Sequence, residues 1–101
     1  MKLNNFADAI QRLSGLGLDV DDVMLAHTYE QLEQSEGEVT IMKLVSSYAQ
    51  KSPGSAHKII KKLCAADIFV KTEVPNNLRY KRLIRGDGYA RMINCLQQGD
   101  A

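Results

Sequence analysis

No stretch of this sequence stays apolar for the roughly 18 residues that a membrane-spanning helix needs, and no segment repeats or falls into low complexity. Cysteine is scarce: Cys64 and Cys95 are the only two, with no CxxC spacing between them. They read as small buried or half-buried thiols of a reducing compartment, not as a disulfide framework. The opening Met1-Lys2-Leu3-Asn4-Asn5-Phe6 has one lysine and is broken by polar residues, so no secretory signal is expected and the chain reads as cytoplasmic. Catalytic apparatus is missing as well. There is no nucleophile–base pair, and Gly86-Asp87-Gly88 lacks the length and the lysine of a phosphate loop. The one acidic cluster, Asp19, Asp21 and Asp22, suits the start of a helix better than a reaction. His57 and Cys64 stand two helical turns apart, about 10 Å by the rise per residue, too far to share a metal ion. The expectation is a chain with no catalytic activity, no metal and no cofactor.

What is present is an ordinary globular composition: 101 residues, 45% hydrophobic and 25% charged, enough for one domain spanning 1–101 with a modest core. The net charge of +1 conceals a division along the chain. Residues 1–42 hold two basic and eight acidic side chains, whereas residues 43–91 hold eleven basic and three acidic ones. That division predicts a polarised molecule whose basic half faces phosphate.

Leu3, Phe6, Ala7, Ile10 and Leu13 form a first helical stripe, stopped by Ser14-Gly15-Leu16-Gly17. Asp19 opens a second helix, with Leu25, Ala26, Tyr29 and Leu32 facing inward and Ser35-Glu36-Gly37 at its end. After a brief extended link, Thr40 caps a third helix, and Val39 and Leu44 occupy the positions of a hydrophobic staple. Gln50-Lys51 turns into a fourth helix with a clean start, in which Ser52 caps and Pro53 takes the first position. There Ala56, Ile59, Ile60 and Leu63 make a buried face, opposite Gly54, His57, Lys58 and Lys61, with Ser55 and Lys62 on a flank. An apolar back with a basic, small-residue front suits a helix lying in a DNA groove, although a solvated surface helix gives the same pattern. The β-branched run 68–74, the turn-formers Pro75-Asn76-Asn77-Leu78 and the basic run 79–85 predict a hairpin. Tyr89, Met92, Ile93 and Leu96 stripe a last helix.

This order predicts a mainly α fold with a small β-hairpin wing, a winged helix-turn-helix. Over residues 18–96 the sequence resembles the MarR-type family of bacterial transcription regulators. The run Ser55-Ala56-His57-Lys58-Ile59-Ile60-Lys61-Lys62-Leu63 matches the family's second helix of the helix-turn-helix. Asp67-Ile68-Phe69 stands where the family usually has a glycine before two apolar residues. Asn77-Leu78-Arg79 stands for its Asp-x-Arg near the wing tip, and Ile84-Arg85-Gly86-Asp87-Gly88 follows the wing.

The resemblance implies a sequence-specific regulator that binds double-stranded DNA, with repression by promoter occlusion as the expected mechanism. Ser52, Gly54, Ser55, His57, Lys58, Lys61 and Lys62 are then the recognition-helix candidates. Asn76, Asn77, Arg79 and Lys81 are those of the wing in the minor groove, while Thr40 and Lys51 fall nearer the DNA backbone. A homodimer is expected, with Phe6, Ile10, Leu13, Tyr89, Met92, Ile93 and Leu96 as candidate interface, unless these only close the monomer's core. The sequence indicates no small-molecule effector and leaves room for one. The alternative is a winged-helix adaptor in a replication or transcription assembly, phage- or plasmid-encoded. It would dock a basic partner through Glu30, Glu33, Glu36 and Glu38 or expose an apolar patch at Phe69, Val74 and Leu78.

Overall fold

A computed structural model describes residues 3–74 and 77–97, and the side chains of all of these except residues 3–5, 73, 74 and 77–80. Five helices surround a small sheet: α1 (Leu3–Gly15), α2 (Val20–Glu36), β1 (Val39–Thr40), α3 (Ile41–Ser47), α4 (Pro53–Ala65), β2 (Phe69–Val74), β3 (Asn77–Arg85) and α5 (Asp87–Gln97). The mainly α fold with a hairpin wing is the one expected.

Local chemistry explains most of the boundaries. Asp19 and Asp22 form a reciprocal capping box at the start of α2, each carboxylate accepting the other's backbone N–H. Gly37 closes that helix with φ 79°, its N–H donating to the Glu33 carbonyl at 2.9 Å. Thr40 and Ser52 cap α3 and α4 through their hydroxyls. Val39 and Leu44, the staple pair, are 1% and 0% exposed.

The sheet is antiparallel with order β1-β3-β2. β1 is the extended link expected before α3, and it pairs Val39 with Leu83 and Thr40 with Arg82. β3 begins at Asn77, two residues earlier than the sequence suggests, because a register shift at Glu73/Val74 lets Val74 pair with Asn77. Asp67 turns the chain from α4 into β2 with φ 62°, the left-handed conformation that favours glycine and that Asp tolerates. Its carbonyl accepts the Gly88 N–H at 2.8 Å. Gly86 passes so close that a Cβ there would collide with the same carbonyl oxygen. The glycines after the wing are therefore packing requirements.

The core runs through Leu25, Tyr29, Leu44, Ala56, Ile60, Leu63, Phe69, Leu83 and Met92. Tyr29 and Phe69 lie 4.6 Å apart by ring centroid, and Tyr89 completes the cluster. α1 lies against α5, where Arg12 Nε donates to the Cys95 carbonyl at 2.8 Å. Its buried face is Ala9 and Leu13, while Phe6 is 46% exposed and Ala7 is open. Phe6 keeps the phase of the expected stripe, one turn before Ala9 and Ile10, but stands open at its end, and Ala7 lies off the buried face.

Candidate nucleic-acid interface

α4 is held by its back. Ala56, Ile60 and Leu63 are 0%, 2% and 0% exposed, with Ile59 half-buried beside them. Its front presents Gly54, His57, Lys58 and Lys61, all exposed, and none of these three basic side chains has a carboxylate partner among the described residues. The sequence placed these groups on one face, and they lie on one face. Ser52 and Ser55 close the N-terminal end: Ser52 Oγ accepts the Ser55 N–H at 3.3 Å and lies 3.1 Å from Ser55 Oγ.

The flank is different. Lys62 turns back to α2, its ammonium donating to Asp22 Oδ2 at 2.6 Å and lying 3.7 Å from Asp19 Oδ2. Asp22 is almost wholly buried. The hydrogen bond to Asp22 raises the Lys62 pKa above its ordinary value, and backbone N–H donation from Asp22 lowers that of Asp19. Lys51 lies 3.3 Å from Asp21, both side chains being exposed. Thr40 Oγ1 is occupied as a cap, accepting the Lys43 N–H at 3.2 Å. The sequence reading of Asp19, Asp21 and Asp22 as a helix start does not reach Lys51 and Lys62 as their partners.

The expected polarisation needs correction. Basic residues of the second half meet acidic residues of the first across the fold. Besides Lys51 and Lys62, Arg82 pairs with Glu38 at 2.7 Å, Arg85 with Glu33, and Lys43 with Glu36. Charge separated along the chain is neutralised in space, which leaves the front of α4 as a local basic strip. The acids proposed to dock a basic partner are occupied, Glu30 accepting from the Tyr89 hydroxyl. Phe69 is 1% exposed because it fills the aromatic cluster, so it forms no surface patch.

In the wing, Asn76 and the side chains of Asn77 and Arg79 lie outside the described residues, as do those of Val74 and Leu78. Lys81 is half-buried and engaged in an interaction of its own. Lys71, which sequence gave no role, is exposed on β2 and near enough to Cys64 for its charge to act on the thiol. Burial is the larger influence and pushes the Cys64 thiol up, making it a poor nucleophile. Both cysteines are free, and the described residues contain no cluster able to hold a metal ion. No described helix is long and apolar enough to cross a membrane.

Of the interface candidates, Leu13, Tyr89 and Met92 belong to the core, so their apolar area is already covered within one chain. Phe6 remains open, and Ile10, Ile93 and Leu96 are half-buried. Phe6, Ile10, Val20, Val23, Met24 and Leu96 line an apolar groove of about 260 Å³ between α1, α2 and the end of α5.

No protein-family model and no curated protein sequence matches the chain. Two solved structures share its fold. A point mutant of MepR from S. aureus, bound to an oligodeoxyribonucleotide, superposes with a TM-score of 0.72 at 12% identity over 93% of this chain. The transcriptional regulator Tm0710 from Thermotoga maritima does so with a TM-score of 0.67 at 16% identity, again over 93%. The matched part makes up 66% and 63% of those chains, so this chain spans a little under two thirds of their length. The fold is a winged helix, shared with these two structures.

Proposed function

We propose that the chain is a sequence-specific regulator that binds double-stranded DNA with α4 in the major groove and the hairpin β2–β3 against the adjacent minor groove. The observation that carries this is the front of α4, where His57, Lys58 and Lys61 stand exposed and without carboxylate partners among the described residues, while the back of the helix is fixed in the core. MepR, which has this fold, was solved on an oligodeoxyribonucleotide. In this reading Gly54, Ser55, His57, Lys58 and Lys61 lie in the major groove, where the two lysines set positive charge against the flanking phosphates as well as base edges. Ser52, Thr40 and Lys51 lie nearer the phosphates, and Asn76, Asn77, Arg79 and Lys81 serve the wing. Lys62, turned to Asp22, is left out of the set. The chain acts by binding and not by catalysis, in the cytoplasm, as a homodimer built from the open parts of α1 and α5. Occluding a promoter is the simplest mode of action.

The test is a salt series. Binding to duplex DNA should fall with a slope near −5 in log K against log salt if a dimer neutralises ~6 phosphates. Lys58→Ala and Lys61→Ala should each weaken binding and flatten the slope by about 1 per lysine removed from the duplex. A salt-independent interaction, or variants that bind as the parent does, would refute the assignment.

A further inference from the structure

The first turn of α2 takes hold of α4 from both sides. Lys51, one residue before the cap of α4, meets Asp21, and Lys62, in its last turn, meets Asp22. The two contacts differ in burial. The Lys51–Asp21 pair is open to water on both partners and contributes little by itself. Asp22 is 2% exposed, and a buried carboxylate that loses its counter-charge is costly, so this pair is the one that constrains. One oxygen, Asp22 Oδ2, accepts both the Lys62 ammonium and the Asp19 backbone N–H, at 2.6 and 2.8 Å. The ammonium is thereby referenced to the backbone of α2 rather than to a mobile side chain.

We propose that Lys62 is a positioning residue: through Asp22 it fixes the rotation of α4 on α2 and so aims His57, Lys58 and Lys61, and it makes no phosphate contact of its own. The inference rests on the DNA-binding reading above. It also reverses an intuition, because in a basic recognition helix every lysine invites a role at phosphate. A lysine held by a buried aspartate and a lysine waiting to leave it for DNA differ in the sign of one experiment. If Lys62 positions α4, neutralising Asp22 misaims the helix and weakens specific binding. If Lys62 swings to phosphate, neutralising Asp22 releases it and tightens binding.

The experiment compares the parent chain with Asp22→Asn, Lys62→Gln and the double variant. Asparagine keeps an oxygen for the Asp19 N–H while losing the charge, and the double variant replaces the ion pair by a neutral hydrogen-bonded one. Each is titrated over a salt series against a duplex selected from a random library and against unselected random duplex of the same length. Each single variant should weaken binding to the selected duplex by roughly tenfold, leave random-duplex binding as in the parent, and leave the salt slope unchanged. The double variant should recover most of the loss. Lys61→Ala is the comparator, flattening the slope by about 1 for each of the two lysines lost from a dimer.

A flattened slope in Lys62→Gln, or tighter binding by Asp22→Asn, would overturn the proposal while leaving the DNA reading intact. Should a single variant fail to fold, the double variant still decides, because a lost phosphate contact flattens its slope and a restored position does not. Absence of salt-dependent binding by the parent would overturn the DNA reading and this proposal together.

Discussion

The carbonyl of Asp67 is crowded from two sides. It accepts the Gly88 N–H, and Gly86 passes where any Cβ would strike the carbonyl oxygen, with Val70 Cγ2 3.2 Å behind it. Backbone on both sides cannot move aside as a flexible side chain would. Gly86→Ala should therefore cost about 1–3 kcal/mol, the usual range for forced overpacking, read as a lower urea midpoint. Tyr29 gives a second residue-scale prediction. It is 2% exposed, and burial together with its hydrogen bond to Glu33 pushes its pKa up from 10 to about 12. As pH rises, the unfolded chain releases the phenolic proton first while the folded chain keeps it. Stability from this group is complete below pH 10 and declines towards about 12. Tyr89, buried and bonded to Glu30, shifts in the same direction. Urea midpoints taken across that alkaline range should fall less steeply in Tyr29→Phe than in the parent.

At the scale of elements, caps decide where helices begin. Ser52 Oγ satisfies an N–H of the first turn of α4, so Ser52→Ala should cost about 1 kcal/mol and Ser52→Gly only a few tenths. Thermal melts of the two variants side by side check the ordering. Such features were legible in the sequence because they are local: Asp19, Thr40 and Ser52 each sit within three residues of the N–H they serve. The buried face of α4 was legible for the same reason, its period being a property of the helix alone. Partnerships between elements were not. Nothing in residues 19–22 names Lys62 as a partner 40 residues on, and Glu30, Glu33 and Glu38 read as a free acidic surface until β3 and α5 supply Tyr89, Arg85 and Arg82. Helical period also cannot tell a core from an interface, which is why Leu13 and Met92 were grouped with Phe6.

For the whole molecule, what remains open on α1 and α5 is the groove that Phe6 borders. If two copies meet there, a charge at Phe6 should separate them. Because Phe6 is 46% exposed, Phe6→Glu should leave the fold of the single chain intact, read as a far-UV spectrum like the parent's. Sedimentation velocity at micromolar concentration should show a dimer for the parent and a monomer for the variant. A monomeric parent would remove the dimer from the proposed function without touching the front of α4.

The pairing of β1 with β3 has a consequence in time. Glu38 and Arg82, bonded beside that pairing, are separated by 44 residues, and α3 and α4 both lie within the loop so closed. Helices of this length form in about a microsecond, so both can flicker into shape as soon as they leave a ribosome. Val39 and Thr40 nevertheless have no strand to join until Arg82 and Leu83 follow. At about 5–20 residues per second, that wait lasts about 2–9 s. A nascent chain thus carries β1 unpaired for seconds, while α4 already has α2 and α3 to pack against, and gains its sheet in a single late closure.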